Sequence, residues 1–195
     1  MKRKDLLKIT GCDAKRFENY HWRDQLPFVA APEAGIEKDP DYQIEHRRAE
    51  YSISDAFQLR VFMDASENNG LSIEAAKYIA GNCIRHLQNA EETVAPDAGD
   101  MWIFYAQGYR QVFPDTGEGW TPRYLKAGCL QDLSTFIGQE VAGEEVQFVA
   151  LINATSASAR VLAAAFERKV IIPDAEPLKH IWQREYHTVG TGNGG

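Results

Sequence analysis

Cysteine is scarce in this chain. The three present, Cys12, Cys83 and Cys129, lie far apart and form no CxxC pair. That spacing argues against a zinc ribbon or a disulfide framework and for reduced thiols in a cytoplasmic protein. No stretch reaches the ~20 apolar residues of a membrane span. The basic start Met1-Lys2-Arg3-Lys4 is followed only by Leu6-Leu7 before Lys8 interrupts, so no signal peptide is expected. His21, His46, His86, His180 and His187 keep no metal-ligand spacing with one another or with a cysteine. The nucleophile elbow G-x-S-x-G, the P-loop and G-x-G-x-x-G are all missing. No pair of acids combines helical spacing with an apolar setting, so general acid–base chemistry has no candidate. The chain is therefore read as not an enzyme, with no metal and no cofactor. Internal repeats and long low-complexity segments are missing too.

What is present is ordinary globular material: 195 residues, 44% hydrophobic and 25% charged, enough for one large domain or two small ones. The net charge of −7 opposes a nucleic-acid partner at first sight, but it is unevenly spread. Residues 1–25 hold seven Lys/Arg against four acids, a local +3, whereas residues 88–195 hold eight against fourteen, a local −6. A basic head on an acidic body fits a site-directed DNA binder better than a non-specific one, and it also fits an acidic protein with a basic beginning.

The stretch Thr10 to Asp24 organises the rest. Asp5-Leu6-Leu7-Lys8-Ile9 reads as a short helix ending at Thr10-Gly11, and Asp13 is placed to cap a second helix. At about 100° per residue, Ala14, Phe17, His21 and Asp24 fall on one side of that second helix, while Lys15, Arg16, Asn19 and Arg23 share the other, with Trp22 at its edge. A face of cations and forked donors without aliphatic residues suits a major groove, and helix, Gly turn and polar-faced helix form a helix-turn-helix pattern. Short helix pairs joined through Gly also occur as plain packing units.

After Pro27, Phe28-Val29 reads as a brief strand and residues 30–41 as a Pro/Gly/acid-rich loop. Tyr42-Gln43-Ile44 and Arg47 to Tyr51 return as a second strand. A hairpin in this place is a wing, with Arg47 and Arg48 set to contact phosphates; a solvated cluster Glu45-His46-Arg47-Arg48 is the equal alternative. Ser54 or Ser52 caps a helix from Asp55 to about Glu67, Gly70 suits its left-handed exit, and a regular amphipathic helix runs from Leu71-Ser72 to about Glu92.

Taken together, Leu7 to Cys12, the Phe17-Glu18-Asn19-Tyr20 helix, the wing, Tyr51-Ser52-Ile53-Ser54-Asp55-Ala56-Phe57-Gln58-Leu59-Arg60 and Gly70-Leu71-Ser72-Ile73-Glu74 resemble the MerR-type winged helix-turn-helix domain over roughly residues 4–90. The resemblance implies a double-stranded DNA partner, with Lys15, Arg16, Asn19, Tyr20 and His21 on the recognition helix and Arg47 and Arg48 on the wing. Three features depart from the family. Glu18 stands where an Arg is common. Trp22 and Asp24 replace the usual polar-then-Gly helix exit, and Gln25-Leu26-Pro27 resembles the exits of phage excisionase-like relatives. Pro96 interrupts the long dimerising helix of MerR activators early, and no cysteine cluster matches the metal loop of metal-sensing members.

Past a linker near residues 92–100 the reading changes. Met101 to Ala106 is a buried strand, Asp115 to Gly119 a turn, Arg123 to Lys126 its partner strand, and Leu130 to Val141 a helix. Val146 to Ile152 is a strand, Ala157 to Arg168 a helix, and Val170-Ile171-Ile172 a last strand closed by Pro173. Strand, helix, strand suggests a βαβ unit. The aromatic group Trp102, Phe104, Tyr105, Tyr109, Phe113 and Trp120 reads as core and dimer packing before a ligand pocket. From Asp174 onward the chain is mostly polar, with a short amphipathic piece around Ile181-Trp182 and a Gly-rich end.

The expected fold class is α+β: an N-terminal winged helix-turn-helix domain (1–91), a small mixed α/β dimerisation or sensor domain (100–182) and a tail (183–195). The expected function is a cytoplasmic, sequence-specific transcriptional regulator, a homodimer through its C-terminal domain. The expected DNA-binding residues are Lys15, Arg16, Asn19, Tyr20, His21, Arg23, Arg47 and Arg48. A phage-type architectural, excisionase-like protein and a protein-interaction adaptor on the same fold are the alternatives.

Overall fold

Helix α1 (Arg3–Thr10) buries Leu6, Ile9 and Thr10 and ends at Gly11, whose φ of 72° is the left-handed exit that a side chain would strain. Cys12 and Asp13 complete the turn. Asp13 Oδ1 then accepts from the N–H groups of Lys15 (2.9 Å) and Arg16 (3.1 Å), which starts α2 (Ala14–Trp22). This computed structural model describes residues 1–29, 49–95, 97–110 and 119–172, with backbone alone at 31–32, 111–113 and 118. Tyr42-Gln43-Ile44, Arg47, Arg48, Pro96, residues 114–117 and everything from 173 onward lie outside the described residues.

A two-residue antiparallel pair follows, β1 (Ala31–Pro32) with β2 (Ala49–Glu50), in the register Ala31↔Glu50. The first strand falls three residues later than expected. Phe28 lies in a bend, its ring edge-on to Tyr51 with centroids 6.1 Å apart. Lys2 bridges to Glu50, and the N–H of Tyr51 donates to the Met1 carbonyl at 2.9 Å, tying the strand pair to the start of α1.

Ser52 caps α3 (Ile53–Met63) by a reciprocal box: the Asp55 N–H donates to Ser52 Oγ at 3.0 Å and the Ser52 N–H to Asp55 Oδ2 at 2.7 Å. The helix widens into a π turn, Asp64–Asn68, before α4 (Ile73–Glu91). Arg60 grips Asp64 one turn on and also donates to the Thr10 carbonyl at 3.4 Å, linking α3 to the end of α1.

The C-terminal sheet is built on one long strand, β3 (Met101–Phe113), much longer than the six residues expected. Strands β4 (Glu118–Trp120) and β5 (Arg123–Cys129) fold back along one edge, Arg110↔Trp120 and Gln107↔Arg123, and β6 (Glu145–Asn153) takes the other, Trp102↔Asn153 to Tyr109↔Glu145. Every pairing is antiparallel. The expected βαβ unit is therefore split: β5 and β6 run the same way, but β3 lies between them. β4 and β5 take one edge of β3, so the chain returning after the crossover finds only the far edge open.

The crossover is not one α-helix. A 3₁₀ turn (Leu130–Asp132), a short α5 (Leu133–Thr135) and a π turn (Phe136–Glu140) share it. Asp132 anchors its start by accepting from the Cys129 N–H at 2.9 Å. That approach works because residue 128 is glycine, where a Cβ would sit 2.5 Å from Asp132 Oδ2. Phe136 and Val141 pack on Phe104 and Ala106, with the Phe104 and Phe136 rings 5.8 Å apart. The opposite face of the sheet is sealed as well: Met101, Ile103, Tyr105, Leu125, Ala127, Ala150 and Ile152 are buried.

Helix α6 (Ala154–Glu167) starts three residues earlier than the Ala-rich run predicts, because Asn153 Oδ1 caps it through the Ser156 N–H at 2.7 Å. Residues 170–172 are not a strand. The Val170 N–H closes back on the Ala165 carbonyl at 3.0 Å, with Lys169 at φ 55°, and Ile171 is left 90% exposed. The chain divides into two compact units, Met1–Gly81 with the described residues from Ala157, and Asn82–Ser156. Among the described residues no helix is long and apolar enough to cross a membrane, and no group of three or more His, Cys, Asp or Glu could hold a metal ion.

Candidate nucleic-acid interface

Helix α2 is seated by one side chain. Phe17 is fully buried, edge-on to Tyr51 at 6.1 Å, with the Arg3 guanidinium 5.4 Å from its ring centroid. A buried Phe supplies about 1.5–3 kcal/mol by apolar burial. The inward side is narrower than the helical wheel implies. Ala14 and Asp24 are exposed, while Tyr20 and His21 are half-buried. Tyr20 stacks edge-on against Phe62 at 4.9 Å, and burial pushes its phenol pKa up. Burial first, then Arg3, pulls the His21 imidazole down, which favours the neutral ring. These two residues support the helix more than they offer themselves to a ligand.

Lys15, Arg16, Asn19 and Arg23 are all exposed, as the periodicity predicts, and Trp22 beside them is 76% exposed. The expected face therefore exists as a surface. Two acids qualify it. Glu18 accepts from Arg3 Nη2 at 2.7 Å, so its charge is offset by a cation from α1. Glu67, from the π turn after α3, is paired with the Arg16 guanidinium. Neither partner was visible from the sequence, since the pairs join residues 15 and 51 positions apart.

The exit of α2 answers another departure. Asp24 holds a φ of 51°, and the Gln25 N–H reaches back to the Tyr20 carbonyl at 2.7 Å. Asp24 thus fills the left-handed position that glycine takes elsewhere. Lys77 Nζ donates to its carbonyl and, at 3.2 Å, to its carboxylate. The wing residues Arg47 and Arg48 lie outside the described residues, so the four cations and amides of α2 are the part of the expected site with a described geometry.

The remaining candidates are quiet. Cys12, Cys83 and Cys129 form no disulfide and are buried; burial raises Cys12 to about 11 and Cys83 to about 12, and burial with Asp132 beside it raises Cys129. Such thiols are poor nucleophiles and metal ligands. Of the aromatic group in the second unit, Phe104 and Tyr105 are sealed in the core, while Trp102 lines an open cleft of about 400 Å³ with Ala98, Asp100, Leu130 and Gln131. The Phe113 side chain lies outside the described residues. Comparison with protein-family models and with curated proteins finds no match.

Proposed function

We propose that this chain is a sequence-specific DNA-binding regulator that acts in the cytoplasm as a homodimer and lays α2 in the major groove. In this reading the N-terminal part is a winged helix-turn-helix of MerR type. The observation that carries it is the coincidence of four groove-suited side chains, Lys15, Arg16, Asn19 and Arg23, on one exposed helix face that a single buried Phe17 anchors. Arg and Asn have the forked donors that read guanine and adenine edges, and Lys suits phosphates. Arg47 and Arg48 would add backbone contacts from the wing. Two copies related by a two-fold axis would set their α2 helices about one DNA turn apart, roughly 34 Å, on a symmetric operator.

One observation favours a different reading. Trp22 is a large apolar ring left exposed at the edge of the same face, which suits a protein-interaction adaptor, since aromatics anchor protein interfaces. Fluorescence-anisotropy titration separates the readings, with DNA from upstream of the chain's own gene set against scrambled DNA over a salt series. Selective binding that steepens at low salt and is lost with Arg23→Ala supports the regulator. Equal binding to both DNAs supports an architectural protein, and no binding at low salt supports the adaptor.

A further inference from the structure

Strand β6 pairs with β3 along one edge only, and among the described residues no strand covers the other. Its first half carries three apolar side chains open to solvent: Val146 is 39% exposed, Phe148 39% and Val149 37%. An open strand edge with apolar side chains is a template for another strand.

The register decides what can fill it. The ladder runs Phe148 opposite Gln107 and then Val146 opposite Gly108, so Gln147 is the extra residue of a β-bulge. In a regular strand, residues three apart point to opposite faces. The bulge cancels one alternation, so Val146 and Val149 share one face, and Phe148 between them takes the other. This order is its own complement. If a second β6 runs antiparallel with a two-fold axis at Phe148, Phe148 meets its own copy, Val146 meets Val149 in both directions, and Glu145 lies opposite Ala150. Every pair stays on one face and none brings like charges together.

Charge also selects the direction. Glu145 is the only ionised residue in β6. A parallel, in-register pair would set two glutamates side by side at about 5 Å. The antiparallel pair separates them by four ladder steps, about 13 Å, which exceeds the screening length of about 8 Å at physiological salt.

We infer that β6 is a homodimerisation strand, pairing antiparallel with β6 of a second copy about Phe148. This rests on the homodimer of the function proposed above and names its surface. A pairing of so few residues buries less than the about 1,200 Å² of a standard interface, so the free dimer is expected to be a weak one.

Sedimentation equilibrium of the full chain without DNA tests it, with far-UV circular dichroism to verify folding. The wild type is expected to dimerise below about 100 µM. Phe148→Lys and Phe148→Glu each place like charges face to face on the axis and weaken the dimer at least about tenfold. An equimolar mixture of these two variants places opposite charges there and restores dimers, which only a contact of residue 148 with its own copy produces. A monomeric wild type overturns the inference, as do folded variants that still dimerise alone or a mixture that stays monomeric. Set beside the anisotropy titration, a dimer that ignores DNA defeats the DNA-binding reading and leaves the β6 pairing standing, whereas a monomer that binds DNA selectively defeats the β6 pairing and the homodimer and leaves DNA binding standing.

Discussion

Arg3 holds Glu18 at 2.7 Å while its guanidinium lies over the Phe17 ring. One cation on α1 thus both neutralises the acid on the exposed side of α2 and covers the residue that seats the helix. If α2 meets phosphates, Arg3→Ala uncovers a carboxylate there and weakens DNA binding by several-fold without removing a DNA contact. The double variant Arg3→Ala/Glu18→Gln is then expected to recover most of that loss, a coupling that anisotropy titrations read directly. Equal losses in the single and double variants would mean that Arg3 acts through Phe17 alone.

Glu67 competes for Arg16. Both side chains are well exposed, so the pair adds little to stability. If α2 enters a groove, the pair occupies a guanidinium that the DNA would otherwise use and keeps a negative charge beside it. Glu67→Gln frees the donor and is expected to tighten DNA binding by about three- to tenfold, with the gain shrinking as salt rises. An unchanged affinity would place Arg16 away from the DNA.

Which parts of this arrangement are legible in the sequence follows from range. Asp13 and the glycines at 11 and 70 announce themselves because a cap is made within three or four residues of its own side chain, whereas the sequence leaves Ser52 and Ser54 as rival caps and only the reciprocal bond with Asp55 selects Ser52. The exposed face of α2 is legible for the same reason, a period of 3.6. Charge pairing across elements is not, and so neither Arg3–Glu18 nor Arg16–Glu67 could be anticipated. The split of the βαβ unit is hidden too: strand, helix and strand read alike whether or not a third strand lies between them. Val170-Ile171-Ile172 looks like a strand by composition, but the backbone turn at Lys169 closes the helix instead. The bulge at Gln147 leaves no local mark, because only the pairing with β3 creates it.

Asp24 sits in the left-handed region at φ 51°, with its side chain fully exposed. Its bond to Lys77 is screened by water and adds little to stability. Asp24→Gly removes that bond and relieves the backbone, so the urea midpoint is expected to stay within about 0.5 kcal/mol of wild type. Asp24→Val loses the same bond but forces a β-branched residue to positive φ, which costs about 1–2 kcal/mol. Equal losses in the two variants would assign the position to the ion pair rather than to the turn.

Acidification is expected to loosen the fold before the carboxylates titrate. His21 and His86 both carry imidazoles held below 6.5, in each case by burial first, then by Arg3 and Arg85 respectively. Between the unfolded value near 6.5 and the lower folded values, the unfolded chain binds more protons, so stability falls as pH drops through that window. Asp55 acts with the opposite sign at lower pH, because burial raises its carboxyl above 3.8 and the folded state then gains on protonation. Urea titrations between pH 7.5 and 5.5 isolate the histidine effect. The midpoint is expected to decline over that range for wild type, and His21→Gln/His86→Gln to flatten the decline. A slope that survives both substitutions would assign it to other groups and show that neither imidazole is held neutral by the fold.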